Sequence, residues 1–202
     1  MKSLGDYEGK GVLIHHWDTD GLTSAVIIDA NCNARLARFV PTIGNYFLNN
    51  EDLESIRSRE PEFIIVADMS LPPGTYEELL KITDDILVLD HHAGQSVPGV
   101  KLVNPVIDGE NPDDSPSAGW VINRHLGNEQ DIFSVLGAIG DKGRRMESNP
   151  TVAGVLEEQN LNFDQALDIT RCIDSNYIVN DRDKIETTVR KLIDAPHVRQ
   201  LL

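Results

Sequence analysis

Gly11-Val12-Leu13-Ile14-His15-His16-Trp17-Asp18-Thr19-Asp20-Gly21-Leu22-Thr23-Ser24-Ala25-Val26 is the stretch that decides the fold. Residues 11–15 form a short apolar run without polar alternation, the pattern of a strand covered on both faces. Leu22, Ala25, Val26 and Ala30, with Ser24 between them, fit the inner face of a helix that begins near Gly21. A strand followed at once by a helix is the first half of a βαβ unit. The same alternation continues outward, with strands at 34–40, 63–67, 86–89 and, briefly, 101–103. Helices at 51–58, behind a loop at 41–50, and at 75–82 separate them. The pattern predicts an α/β fold, a doubly wound and mostly parallel sheet with flanking helices. From residue 117 the pattern turns helical, at 117–125, 132–139, 151–158, 163–173 and 183–193, with Pro150 at a helix start. We therefore expect an α/β core over 1–148 and a helical C-terminal extension or connector over 149–202.

Composition narrows the function classes. The chain has 202 residues, 18 Lys+Arg against 33 Asp+Glu, and a formal charge of −15. That length suits one domain with a sizeable core, and 40% hydrophobic with 25% charged residues is a globular composition. An acidic sum disfavours a broad, sequence-independent grip on duplex DNA or an anionic membrane, which needs a basic face. Cys32 and Cys172 stand far apart in helix-like stretches, so buried thiols in a reducing compartment, the cytoplasm, are the expectation. The N-terminal residues lack the apolar stretch of a signal peptide, and no apolar run approaches the roughly 20 residues of a membrane helix.

Chemistry gathers where the strands end. His16, Asp18 and Asp20 follow the first strand, and in an extended segment residues at i, i+2 and i+4 share a face. Asp68 ends the run at 63–67, Asp90-His91-His92 ends the run at 86–89, and Asp141 follows the apolar stretch 135–140. In an open α/β sheet ligands bind beyond the carboxyl ends of the strands, so separate segments deliver acids and imidazoles to one edge. Carboxylates brought within several ångströms repel by a few kcal/mol per close pair at an effective dielectric of roughly 20, unless cations neutralise them. Mixed imidazole and carboxylate ligation suits Mn²⁺, Fe²⁺, Co²⁺ or Zn²⁺ better than Ca²⁺. Two ions about 3.5–4 Å apart sharing one Asp are the natural arrangement, a geometry that activates water for attack on phosphorus.

Each residue also has a structural reading. A single strand-end Asp is commonly a helix cap or turn residue, and Asp20 would then cap the helix at Gly21. A His-His pair alone would equally be a partly exposed structural pair. That reading has to be invoked independently at each strand end, which is what disfavours it for the set. His15 is one residue out of register and should face away, as core or surface. His125 and His197 are structural or solvated. Lys142, Arg144 and Arg145 form the densest basic cluster and either grip substrate phosphates or balance nearby acids at an exposed helix start.

The motif His16-x-Asp18-x-Asp20-Gly21, Asp68 after an apolar strand, Asp90-His91-His92, Asn104-Pro105 downstream and Gly140-Asp141 together resemble the signature motifs of the DHH phosphoesterase superfamily. The narrow first motif is most similar to its RecJ-like branch, and the match spans residues 11–142. The resemblance implies a Mn²⁺ site of His16, Asp18 and Asp68 and a second of Asp20, Asp68, His91 and Asp141, with Mg²⁺ or Co²⁺ as possible substitutes. It implies His92 facing the scissile phosphate, Asp90 orienting a histidine, and hydrolysis by water activated between the ions. Nuclease members usually carry a DHHA1 domain with a Gly-Gly-Gly-His stretch. No such stretch stands in this sequence, so either the catalytic domain acts alone or the chain is truncated.

The resemblance leaves three functions open. The first is hydrolysis of a phosphodiester in single-stranded nucleic acid or short oligonucleotides, the low aromatic content of 5% arguing against long, tight single-strand binding. The second is a small-nucleotide or pyrophosphate-type phosphatase. The third is a non-catalytic replication or repair scaffold with a protein partner, which an intact ligand set disfavours.

Overall fold

The computed structural model describes residues 2–194; His197 lies outside the described residues. Five strands, β1 (Lys10–His15), β2 (Arg35–Phe39), β3 (Phe63–Ala67), β4 (Ile86–Leu89) and β5 (Lys101–Val103), form one sheet in the order β2-β1-β3-β4-β5. Every pairing is parallel. The helices are α1 (Thr19–Asn31), α2 (Asn50–Arg57), α3 (Pro73–Leu79), α4 (Ala118–Leu126), α5 (Ile132–Lys142), α6 (Pro150–Glu158), α7 (Phe163–Ile178) and α8 (Arg182–Asp194).

The sheet is covered on both sides, which is why its strands read as unbroken apolar runs. Leu13, Phe63, Ile65, Leu87 and Leu89 point into a core shared with Leu22 and Ile28 of α1, Leu136 and Ile139 of α5, Ile169 of α7 and Val189 of α8. Their neighbours Val12, Ile14, Ile64, Val66, Ile86 and Val88 meet Leu53 and Ile56 of α2 and Tyr76 and Leu79 of α3. The period of two along each strand sorts side chains between the layers.

Helix ends differ from the sequence reading in ways that bear on the site. α1 begins at Thr19, before Gly21, because extended Asp18 caps it by accepting a hydrogen bond from Gly21 N at 3.1 Å. Asp20 therefore does not cap; it stands inside the first turn. Gly21 belongs there because a Cβ would lie 2.5 Å from the His16 carbonyl oxygen. α5 continues past 139 to Lys142. Gly140 lets α5 pass close to α1, since its Cβ would meet Thr19 Cβ at 3.0 Å. The helix ends instead at Gly143, with φ +58°. Both cysteines are free, but the expectation of buried thiols fails: Cys32 follows the last residue of α1 and is half-buried, and Cys172 is on the exposed side of α7. No helix among the described residues is long and apolar enough to cross a membrane.

Candidate metal centre

The register of the sheet assembles the site. His15 pairs with Ala67, Ala67 with Leu89, and Leu89 with Val103. The next residue on each strand, His16, Asp68, Asp90 and Asn104, leaves the sheet in one row at its carboxyl edge. From β1 the chain passes to β2 on one side and then crosses over to β3 on the other, so His16 and Asp68 flank the point where the strand order reverses, the usual ligand crevice of this topology.

Two groups of ligand atoms face each other across Asp68. His16 Nδ1 is 2.6 Å from Asp18 Oδ2 and 3.8 Å from Asp68 Oδ2. His91 Nε2 is 3.1 Å from Asp141 Oδ2, 3.6 Å from Asp20 Oδ2 and 3.5 Å from Asp68 Oδ1. Each oxygen of Asp68 thus faces a different group. His16, Asp18 and Asp20 do not share one strand face as the extended reading had it. The turn into α1 separates them and sends Asp20 to the His91 side.

The fit to cations rests on unsatisfied atoms. Both oxygens of Asp68, both ring nitrogens of His16 and His91 Nε2 are buried without a hydrogen-bond partner, the 2.6 Å approach of His16 to Asp18 being out of line for one. Buried polar groups are nearly always paired, and unpaired carboxylate and imidazole atoms gathered on both sides of Asp68 are what a metal site presents. Asp68 also holds a left-handed backbone, φ +57°, a strained conformation for a side chain and one concentrated at functional sites.

Charge repulsion is visible in the acids. Burial, then Asp20, Asp18 and Asp141, hold the Asp68 carboxyl well above the usual range. Burial and Asp141 push Asp20 up to about 6. Asp18 is also raised by burial, but its contact with His16 and the Gly21 N–H outweigh that and hold it low. Asp90 is different. Its Oδ1 accepts from His91 N at 2.8 Å and His92 N at 3.3 Å and contacts His92 Nδ1 at 2.8 Å. That contact raises His92 to about 9. With Nδ1 engaged, Nε2 is the nitrogen left to meet a ligand, and the His92 side chain is 47% exposed.

Residues without a sequence signal shape the site. The oxygens of Asp20 accept from Ala118 N at 2.6 Å and Gly119 N at 3.2 Å, the first turn of α4. Gly137 in α5 makes room: a Cβ there would lie 2.4 Å from Asp20 Oδ1. Asp174 of α7 accepts from Thr19 N at 2.9 Å and Thr19 Oγ1 at 2.7 Å, tying the C-terminal helices to the start of α1. Burial raises its pKa. Asn104 donates to His92 O at 2.8 Å and accepts from Val106 N and Ile107 N, fixing the loop that carries His92. Of these, only Asn104 stood in a motif.

The other candidates fall elsewhere. His15 is buried, its Nδ1 2.7 Å from His16 O, and burial lowers its pKa to about 4. Arg144 forms exposed ion pairs with Asp164 at 2.5 Å and Glu147 at 3.1 Å. Lys142 and Arg145 line a cavity of about 270 Å³ with Asp113, Pro116 and Asn149.

No protein-family model matches the sequence, and no curated protein matches it. Among solved structures, RecJ from Thermus thermophilus in complex with Mn²⁺ superposes with a TM-score of 0.61 at 16% identity, over 95% of this chain and 33% of that one. An exonuclease RecJ bound to manganese gives a TM-score of 0.49 at 15% identity, over 95% and 60%. The chain spans about a third of the Thermus protein. At that identity the likeness is one of fold, RecJ-like α/β with a helical C-terminal segment.

Proposed function

We propose that the chain is a metal-dependent phosphoesterase that hydrolyses a phosphodiester of single-stranded nucleic acid or a short oligonucleotide at a site for two divalent ions, with Mn²⁺ the expected metal. The observation that carries this reading is Asp68: a buried carboxylate on a left-handed backbone, neither oxygen accepting a hydrogen bond, one near His16 and Asp18 and the other near His91, which also meets Asp20 and Asp141. The mixed oxygen and nitrogen donors fit Mn²⁺, Mg²⁺ or Co²⁺. Bound there, the ions would supply Lewis-acid activation of a phosphate and of water.

The chain's own residues do the rest. Asp90 orients His92 and raises the pKa of its imidazole, so the ring at the exposed rim would offer a proton and a positive charge to a phosphate oxygen. Asp20 is held by two backbone N–H groups and Asp18 by Gly21, so both carboxylates are pre-oriented. Asn104 keeps His92 in place.

The test is a Mn²⁺ activity screen on 5′-labelled single-stranded DNA and RNA, di- to pentanucleotides and pyrophosphate, with Asp68→Ala as control. Turnover of a nucleic-acid substrate that Asp68→Ala abolishes is expected. Hydrolysis of pyrophosphate alone rejects the nuclease reading. Metal binding without turnover on any substrate points to a scaffold.

A further inference from the structure

We propose that Tyr46, with Phe47 beside it, is a stacking platform for the nucleobase adjoining the hydrolysed phosphate. The inference rests on the phosphodiesterase reading and adds that the substrate is held by an aromatic base as well as by its phosphate.

Tyr46 and Phe47 are the large aromatic side chains that the described residues leave exposed, at 66% and 47%. Both lie in the segment between β2 and α2, which crosses the carboxyl edge of the sheet where the metal centre stands. Tyr46 is not a loose tip. Its ring stacks on His16, centroids 5.6 Å apart at 28°, and leans on Trp17 at 5.5 Å. Trp17 is buried and packs against His16 at 4.1 Å. Tyr177 of α7 stands near Tyr46, Asp18 and Asp174. One side of the Tyr46 ring therefore rests on anchored rings, and the rest of it faces solvent.

The position decides the ligand. The ring under Tyr46 belongs to His16, whose Nδ1 is 3.8 Å from Asp68, so a group stacked on Tyr46 is one nucleotide's reach from a phosphate at the metal centre. A pyrophosphate has no flat apolar surface to set against the ring, whereas every nucleobase has a π-face. Stacking of that kind tolerates any sequence and is worth several-fold to a hundredfold in affinity per base. A rigid aromatic already backed by its neighbours loses little freedom on binding. The small number of such rings limits the grip to one or two bases, in keeping with a short substrate.

The full chain is tested with a dinucleotide carrying 2-aminopurine, whose fluorescence falls on stacking, and with the matching abasic dinucleotide. Binding is measured in Ca²⁺ and turnover in Mn²⁺. In the wild type we expect quenching on binding. Tyr46→Ala should lose the quenching and weaken dinucleotide affinity by roughly 5- to 150-fold while leaving the abasic compound unchanged; Tyr46→Phe should behave as wild type. Equal losses on both compounds would show that Tyr46 acts only by bracing His16 and would overturn the proposal, as would unaltered quenching in Tyr46→Ala or a wild type that binds both compounds equally. Normal quenching without turnover of any phosphodiester would refute the hydrolase reading and leave the platform standing.

Discussion

Replacing Asp68 with Asn separates a metal ligand from a structural acid. The swap keeps shape, and Asn tolerates the left-handed backbone that Asp68 adopts at φ +57°. It removes one buried negative charge. Asp20 Oδ2 and Asp68 Oδ1 lie 3.6 and 3.5 Å from the same His91 nitrogen. The two carboxylates are thus at most about 7 Å apart, where like charges repel by roughly 2 kcal/mol at an effective dielectric of 20. Asp141 shares that nitrogen at 3.1 Å and adds to the repulsion. Burial lowers the pKa of His91, but Asp141 and Asp20 more than reverse this; a single pair's worth is the figure used.

In EDTA at pH 8, Asp68→Asn should therefore melt about 4–8 °C above wild type, from roughly 2 kcal/mol in a domain of this size. The sign with pH follows from the raised pKa of Asp68. The folded wild type holds a proton that the unfolded chain releases near pH 4, so its metal-free stability is greatest below that and falls as pH rises through the folded pKa. The gap between variant and wild type should close toward pH 4. Saturating Mn²⁺ should invert the order, because a thousandfold excess over Kd adds about 4 kcal/mol to the protein that binds it. Scanning calorimetry in EDTA and in Mn²⁺ at both pH values checks each point. A variant that melts well below wild type in EDTA at pH 8 would show that Asp68 has a structural partner, and the reasoning would be refuted.

Other substitutions probe the supports. Gly137→Ala places a Cβ 2.4 Å from Asp20 Oδ1, which cannot swing away from its two N–H donors. A loss of about 1–3 kcal/mol is expected, with weaker Mn²⁺ binding by calorimetric titration; unchanged melting and affinity would show the carboxylate is free to move. Asp90→Asn should drop the His92 pKa from about 9 toward the ordinary imidazole value of about 6.5. The histidine C–H shifts followed by NMR should move down the pH axis, and the alkaline limb of the activity profile with them, since the charged form persists below the pKa and is lost as pH rises through it. Asp174→Ala removes the acceptor for Thr19 N and Oγ1. It should cost about 1–3 kcal/mol in urea unfolding; strict additivity with Thr19→Val would argue against the contact.

Much of the fold is legible along the chain. The apolar runs at 63–67 and 86–89 mark strands because both faces are covered, and the structure's strands occupy those same positions. The ends of α1 and α5 were less legible. Asp18 and Asp20 are equivalent as cap candidates in a sequence, and only the extended backbone at Asp18 settles which one caps. The apolar pattern of α5 breaks off at 139, and the helix is seen to run on to Lys142 where Gly140 packs against α1. For Arg144 the sequence leaves a phosphate grip and a balance of nearby acids both open, and its partner Asp164 lies 20 positions away with no periodicity linking them.

The candidate site divides along the same line. By itself the sequence determined which residue types follow each strand, because an acid or imidazole after an apolar run stands out locally. The tertiary structure alone decided that His16, Asp68, Asp90 and Asn104 share one row, since register is a property of pairs of strands. It also decided that both carboxylate oxygens of Asp68 are buried without a hydrogen-bond donor, that Gly137 leaves room for Asp20, and that Tyr46 rests on His16. Those are contacts between segments distant in the chain, and their energies depend on distances that no local pattern encodes.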